Sequence, residues 1–378
     1  MVRYEWAHLS SADEEEEDMV QSCNTIAQRS NHLYLAGMEV SDPKKSLYSI
    51  LSHLQRTRDQ PNWTPISNNW LQADNFPIGY PVSMVADQTA TDNSIFVVGL
   101  QSTDTRSNIG FATFEDLEHP NLTPGGHIKY GNDFQVTIQH YHESNDPSQD
   151  KLVQNWEAVI KNSANGDGSF VAVSGVAMLG DTVFVVGSVK GDLTGVAFSD
   201  AAATHTGVDG WIFPVRAIDG LDSKRGKRFD SGADDWIYNI CVSSSSTAFF
   251  YIVGATTGRI DTTGSLQKNH DPFAIDAFVT KFDSSTLEPV WTRQLGTTDS
   301  ITSSADSPRK AAAYGCAMVP HDDVLYVAGV VENGAVVDFV PNPPKSSGSW
   351  HGGWRYKVAS SSGFRWERKL GTKWWHCR

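Results

Sequence analysis

Two histidines stand two residues apart at His140 and His142, and imidazole nitrogens are common metal ligands. On a β-strand, residues i and i+2 project from one face, so both rings could bind the same ion. A solvated strand end before the turn at residues 145–147 explains the pair more simply. We therefore predict no metal site here.

Two further segments carry oxygen-bearing side chains in patterns that ligand sites use. Residues 162–169 faintly resemble a calcium loop, but they lack the alternating Asp/Asn ligands and the closing Glu. Residues 283–291 resemble the blade signature of quinoprotein dehydrogenases, but no glycine follows Thr286 and no adjacent cysteine pair exists to cover a quinone. A turn explains the first segment and blade packing the second, so we predict no cofactor.

The motifs of nucleophilic and phosphate chemistry are missing from the sequence. It contains no Gly-x-Ser-x-Gly elbow and no Walker-type loop, and scattered Ser, His and Asp residues do not predict a triad. We name no catalytic residue, and an enzyme remains the less favoured hypothesis.

The elements that would position any site follow a repeated pattern. A strand phrase of aromatic and aliphatic residues ending in glycine occurs five times, and self-similarity at a long period indicates a repeat architecture. A small-residue strand precedes the phrase, a strand opening with Asp or Gly follows it, and a Trp-x-x-x-Leu/Ile strand closes the unit. The repeat positions are Gly37, Gly99, Gly187, Gly254 and Gly329, with closing Trp156, Trp291 and Trp366.

Four short strands with glycine-rich turns, repeated along a chain, are typical of a β-propeller blade. Period-2 alternation is frequent and no segment shows a helical stripe. We predict an all-β, single-domain β-propeller of about five to six four-stranded blades over residues 1–378. Residues 1–9 are predicted to be an orphan closing strand, so the chain could be a piece of a longer protein. The predicted repeats are approximately 10–75, 76–160, 170–230, 231–297 and 308–372.

Residues 276–329 resemble the repeat of the SBBP β-propeller family. The matching order is Asp-Ala-Phe-Val-Thr-Lys-Phe-Asp, then Trp-Thr-Arg-Gln-Leu-Gly-Thr, then Leu-Tyr-Val-Ala-Gly, and weaker copies cover nearly all the rest. The resemblance implies a propeller whose shared positions are turn glycines and core aromatics, with no assigned catalytic residue. It also implies an exported or cell-surface protein.

Three cysteines precede a repeat glycine by nearly the same number of residues. Cys23, Cys241 and Cys316 lie 14, 13 and 13 residues before a glycine, which indicates one shared position in three blades. A disulfide needs Cα atoms within about 7 Å, and we expect the first strands of different blades to be farther apart. We predict buried free thiols, and the absence of Cys-x-x-Cys argues against a zinc site.

The formal net charge of −14 argues against a nucleic-acid partner and favours basic partners or cations. The basic run at residues 224–228 is predicted to be a solvated loop. No run approaches the roughly 18 apolar residues of a membrane span, and the start lacks the apolar core of a signal peptide. We expect no membrane insertion by this segment, with a cytoplasmic location if the chain is complete and an extracellular or cell-surface one if it is a fragment.

The repeats differ mainly in their loops, where propellers usually vary their binding surfaces. The tryptophans of the closing strands are predicted to pack between blades. Trp63, Trp70 and Trp350 lie outside these core positions, and Trp350 ends a Pro/Ser-rich insertion. We predict a non-enzymatic module that binds a protein or glycan partner through these loops. One alternative is an enzyme or carbohydrate-active propeller with a central-channel site that uses residues such as Asp322 and Asp323. Another is a structural segment of a large repetitive cell-surface protein.

Overall fold

The computed structural model describes fifteen stretches of the chain, and within them the residues form β-strands and turns. None of the described stretches forms a helix that could cross a membrane. The described residues are 20–41, 46–56, 64–69, 80–88, 93–102, 134–144, 152–162, 170–194, 207–220, 226–242, 248–260, 275–295, 310–319, 324–332 and 352–359.

The strands form five antiparallel sheets that follow one another along the chain. The first sheet is β1 (Val20–Arg29), β2 (His32–Ser41), β3 (Ser46–Gln55) and β4 (Thr64–Asn69); the second is β5 (Tyr80–Ala86), β6 (Ser94–Ser102), β7 (Phe134–Glu143), β8 (Leu152–Asn162) and β11 (Leu193–Thr194); the third is β9 (Phe170–Leu179), β10 (Thr182–Lys190), β12 (Val208–Arg216) and β13 (Lys227–Phe229); the fourth is β14 (Asp235–Val242), β15 (Phe249–Thr256), β16 (Asp276–Asp283) and β17 (Pro289–Leu295); the fifth is β18 (Lys310–Val319), β19 (Val324–Glu332) and β20 (Gly352–Ala359).

Each sheet is a meander in which consecutive strands pair, except that β11 crosses over to extend the outer edge of the second sheet. The first strands of successive sheets lie side by side, in the order β1, β5, β9, β14 and β18. Meanders arranged with their first strands innermost around one axis form a β-propeller. The predicted all-β propeller is therefore confirmed, and we call each sheet a blade.

Strand direction divides the connections between two rims. Strands alternate in direction within a blade. The connection from the second strand to the third, and the connection from one blade to the next, therefore start and end at the rim where the first strands begin. We call this the loop rim, since it contains connections such as residues 103–133 and 333–351. The hairpins fall on the opposite rim, the turn rim, where Ser30 and Asn31 alone join β1 to β2.

The repeat glycines lie inside the second strands, which corrects the expectation that they form turns. In all five blades the glycine pairs with a residue of the first strand, and a β-bulge begins at the next residue of that first strand. The bulge brings a first-strand carbonyl against the glycine: a Cβ on Gly187 would lie 1.9 Å from the oxygen of Ala172. Gly254 has the same relation to Trp236. The repeated glycine is thus a close-approach residue.

Apolar side chains fill the seams between neighbouring blades. One buried cluster joins the second and third blades around Trp211, and another joins the third and fourth around Phe250. The closing Trp156 packs against the first of these clusters, and the closing Trp291 packs against a cluster between the fourth and fifth blades, as predicted. The Trp156 indole nitrogen donates to the carbonyl of Ala217 in the next blade at 3.0 Å, and its ring lies against Gly220. Burial of such side chains contributes about 1.5–3 kcal/mol each.

The aspartate that opens a third strand holds the fourth strand of its own blade. Asp209 accepts a hydrogen bond from the Arg228 guanidinium at 2.7 Å, and Asp276 accepts one from the Gln294 amide at 2.7 Å. Arg228 is only 8% exposed, which corrects the prediction of a solvated basic loop at this point. Arg228 can be buried in β13 because the Asp209 carboxylate neutralises its charge inside the blade.

The cysteines contradict the prediction of free thiols. Cys241 and Cys316 form a disulfide, with Cα atoms 6.0 Å apart. The physical reason is the position of β14 and β18, because the first strands of adjacent blades converge at the axis and come within bridging distance.

The cysteines also do not share one ladder position. The residues between each cysteine and its repeat glycine include a hairpin connection whose length varies. This connection is two residues long in the first blade and comprises residues 243–248 in the fourth. Cys23 lies opposite Gly37, Cys241 opposite Tyr251 and Cys316 opposite Val327.

Candidate functional site

The residues predicted to bind a partner lie outside the described part of the chain. In the sequence, Trp70 and Trp350 fall in connections whose flanking strands end at the loop rim. Trp63, Asp322 and Asp323 fall in connections whose flanking strands end at the turn rim. Their participation in a single site therefore stays a prediction, and Trp366 also lies outside the described residues.

His140 is a packing residue of the second blade. Its ring stacks on Phe96 with centroids 4.5 Å apart and lies 5.5 Å from the ring of Trp156. The Asn155 amide nitrogen lies 3.3 Å from its Nδ1. Among the described residues, no group of three or more His, Cys, Asp or Glu side chains could hold a metal ion.

Segment 283–291 contains the turn between β16 and β17 and the strand ends beside it, which supports packing as its explanation. The Asp283 carboxylate accepts hydrogen bonds from the backbone of Ser285 and Thr286 at 2.8 and 3.1 Å. Leu287 occupies the place of the missing glycine with φ of 58°, and its side chain is buried. Residues 163–169 lie outside the described residues.

Hydroxyl groups near the axis join neighbouring blades. Ser83 accepts a hydrogen bond from the backbone of Val176 at 3.3 Å. Ser174 donates to the carbonyl of Ile237 at 2.6 Å, and Ser188 accepts from the Ile237 amide at 3.1 Å. These hydroxyl groups have hydrogen-bond partners within the scaffold, so they do not indicate a ligand site in the middle of the described inner strands.

A different carboxyl group, at Asp235, stands out at the loop rim. Asp235 begins β14, is fully buried, and lies opposite Thr256 in the ladder. Its Oδ2 accepts a hydrogen bond from the backbone of Ser231 at 2.6 Å, while its Oδ1 has no hydrogen-bond partner among the described residues. Burial raises the pKa of Asp235 to about 7, and the hydrogen bond from the Ser231 backbone acts in the opposite direction.

Blade architecture does not explain this carboxyl group. The equivalent ladder positions in the third and fifth blades are Val171 and Ala311, each opposite the residue two places after the repeat glycine. A buried acid at a ladder position that is apolar in both of these blades, with a perturbed pKa, marks a functional candidate. Sequence reasoning missed Asp235, although the pair Asp234-Asp235 before a tryptophan was visible.

Stability should fall as pH rises through the range in which Asp235 ionises. The folded-state pKa of about 7 exceeds the ordinary value of 3.8, so the folded state binds the extra proton between these values. We expect Asp235→Asn to match the wild type near pH 4 and to exceed its free energy of unfolding at pH 8, by roughly 3–4 kcal/mol. Urea unfolding of both proteins across this range measures the difference.

The control for this prediction is Asp283→Asn in the exposed turn. Hydrogen bonds from Ser285 and Thr286 lower the pKa of Asp283, so its ionised form is the stabilising one. The Asp283 variant should therefore lose stability, relative to the wild type, above pH 4. A pH-independent difference for Asp235→Asn would contradict the assignment.

A second polar cluster, at the turn rim, joins the first two blades. The Asn93 amide donates to the Glu143 carboxylate at 2.6 Å and accepts from Arg29 at 3.5 Å. The Nε2 of His32 lies 3.4 Å from the amide nitrogens of both Asn93 and Gln55. Desolvation lowers the pKa of His32, while Glu143 raises it. A neutral imidazole that accepts from these amides fits a structural role.

No protein-family model matches the chain, and no curated protein does. Solved structures with similar folds include an alpha-L-arabinofuranosidase from Lactobacillus brevis, at 10% identity and a TM-score of 0.40, which covers 93% of this chain and 94% of that one. The alpha-L-arabinofuranosidase Arb93A from Fusarium graminearum has 9% identity and a TM-score of 0.41, with coverage of 82% and 88%. At these values the likeness supports no conclusion about activity.

Proposed function

We propose that this chain is a β-propeller interaction module that holds a protein or glycan partner against its loop rim. The observation that carries the proposal is the unequal distribution of its connections. Residues 103–133, 195–206, 261–274 and 333–351 all belong to loop-rim connections, whereas two-residue turns join strands at the turn rim in the first and third blades. Long variable loops on a rigid scaffold are where proteins usually place their binding residues.

The scaffold polar groups support a binding role over a catalytic one. The hydroxyls of the inner strands join blades, and the buried Asp209 and Asp276 hold fourth strands. The loop-rim connections contain more acidic than basic residues, which favours a partner with basic groups. Membership of the SBBP family and a place in a larger cell-surface protein remain proposals that agree with this role.

Two arrays of defined probes test the binding role, one of oligosaccharides and one of peptides that differ in charge. We expect the fluorescently labelled chain to be retained on a subset of one array. Trp350→Ala or Trp70→Ala should weaken retention by about tenfold or more, because aromatic anchors carry much of the energy of an interface.

The matched control is Trp63→Ala, since this tryptophan belongs to a turn-rim connection. It should leave retention unchanged. Equal losses for Trp63→Ala and Trp350→Ala, or no retention on either array, would contradict binding at the loop rim.

Asp235 favours a second candidate, a carbohydrate-active propeller. A carboxylic acid that stays protonated near neutral pH is what protonation of a glycosidic oxygen requires. The candidate ranks second because Asp235 is fully buried. Mass spectrometry of oligosaccharides after incubation tests it: cleavage that disappears with Asp235→Asn supports an enzyme, and intact oligosaccharides argue against one.

A further inference from the structure

We infer that this chain matures in an oxidising compartment, where the Cys241–Cys316 disulfide locks the seam between the fourth and fifth blades at the axis of the propeller. The inference is independent of the proposed function, since it concerns how the ring is held together. It rests on the position of the two cysteines, on the different chemistry of the other seams and on the burial of Cys241.

The backbone places these two cysteines for a bridge. Cys241 lies in β14 and Cys316 in β18, which are neighbouring inner strands. Their Cα atoms are 6.0 Å apart, within the usual range for a disulfide. The bridge spans 75 residues of sequence, so it connects two whole blades.

The seams that precede this one are joined differently at the axis. Ser83 bonds to the backbone of Val176 across the second seam, which lies between the second and third blades. Ser174 and Ser188 both bond to Ile237 across the third seam, which lies between the third and fourth blades. Across the fourth seam the inner strands are joined covalently. The fourth seam therefore responds to redox conditions in a way that hydroxyl-bonded seams do not.

The surroundings of the bridge indicate that it is structural. Cys241 is 8% exposed and belongs to a buried cluster with Tyr251, Val253 and Leu325. The bulged residues Tyr238 and Tyr314 of the same two strands pack with ring centroids 4.7 Å apart. A bridge packed into such a seam joins two parts of the scaffold, and disulfides of this kind persist in oxidising compartments.

The bridge forms by thiol–disulfide exchange with an acceptor disulfide, that of a disulfide oxidoreductase or of oxidised glutathione. The thiolate of Cys316 attacks the acceptor and releases one of its sulfurs as a thiol. The thiolate of Cys241 then attacks the mixed disulfide and releases the second. The two cysteines lose two electrons and two protons, and the acceptor gains them as two thiols.

Peptide mapping of protein from its natural source tests the redox state. Cells are lysed in N-ethylmaleimide, which blocks free thiols, and the protein is digested with trypsin without reductant. The expected product joins residues 229–259 to residues 311–345, each of which contains one cysteine. Recovery of both peptides separately, each carrying the maleimide, would overturn the inference of an oxidising compartment.

Hydrogen exchange of the folded, oxidised protein with and without a phosphine reductant tests the lock. We expect exchange in β14 and β18 to accelerate by about tenfold or more on reduction, while β5 and β9 change little. The thermal midpoint should fall by about 5–10 °C. Uniform acceleration in all four strands, or no change in β14 and β18, would contradict a lock at this seam.

Variants separate the bridge from the other thiols. The double variant Cys241→Ser/Cys316→Ser should reproduce the midpoint of the reduced wild type and lose its response to reductant. Cys23→Ser should keep the wild-type midpoint and response. If the double variant does not fold, the reduction of folded wild-type protein still decides the result, and a double variant that melts like the oxidised wild type overturns the inference.

Discussion

Gly254→Ala is expected to destabilise the protein by more than about 4 kcal/mol, enough to abolish soluble expression in a marginally stable chain. The new Cβ would lie 1.9 Å from the carbonyl oxygen of Trp236 and 2.7 Å from the ring of Phe278. Neither can retreat, because the carbonyl belongs to the bulged inner strand and the ring is fully buried. Denaturant unfolding, or the soluble yield when no folded protein remains, measures the loss.

The matched control is Gly315→Ala, in the inner strand of the fifth blade. A Cβ at Gly315 would meet no atom of the described residues within 4 Å, so this variant should stay within about 1 kcal/mol of the wild type. The same substitution at Gly187 should behave like Gly254, since its Cβ would also lie 1.9 Å from a carbonyl oxygen. A Gly254→Ala protein that unfolds at the wild-type midpoint would refute the close-approach explanation of the repeat glycines.

Arg228→Met is expected to cost about 3–5 kcal/mol, because it leaves the Asp209 carboxylate buried without its counterion. Asp209 is 1% exposed, and Arg228 bonds it at 2.7 Å while a second nitrogen bonds the Gly191 carbonyl at 2.9 Å. Removal of the arginine should shift Asp209 towards its protonated form, so the loss should shrink at low pH. Chemical denaturation at pH 7 and pH 4 measures both effects.

The neighbouring lysine provides the control. Lys227 pairs with Glu288 at 2.7 Å, but the glutamate side chain is 67% exposed, and such surface pairs contribute about 0–1 kcal/mol. Lys227→Met should therefore leave stability almost unchanged. The double variant Asp209→Asn/Arg228→Met should recover part of the loss, because no unpaired charge stays buried. Equal losses for Arg228→Met and Lys227→Met would mean that the buried pair has no special role.

The strand order of the propeller could be predicted because it depends on local patterns. Alternating apolar residues, turn residues between them and the recurring glycine phrase are all visible within a few residues of each other. The closing tryptophans were predicted to pack between blades for the same reason, and Trp156 does so against Gly220. The five repeats and the extra closing strand expected at residues 1–9 predict about five to six blades, and the described residues form five.

The glycine positions were predicted correctly, but their physical role was not. A phrase that ends in glycine suggests a turn, whereas the structure places Gly187 and Gly254 inside strands opposite a bulge. A bulge depends on the register of two strands, and a one-residue shift leaves the sequence pattern almost unchanged. The observed strand pairing was therefore needed to show that a carbonyl oxygen leaves no room for a side chain at these two glycines.

Through-space proximity decided the remaining features. Cys241 and Cys316 meet because inner strands converge at the axis, and Arg228 is buried because its guanidinium pairs with the Asp209 carboxylate on the neighbouring strand. Asp235 is perturbed because it is desolvated at the start of β14. The sequence by itself determined the all-β repeat and its strand order, since these follow from neighbouring residues. Only the tertiary structure decided which distant side chains are paired, bridged or buried, because those distances depend on how the blades close around the axis.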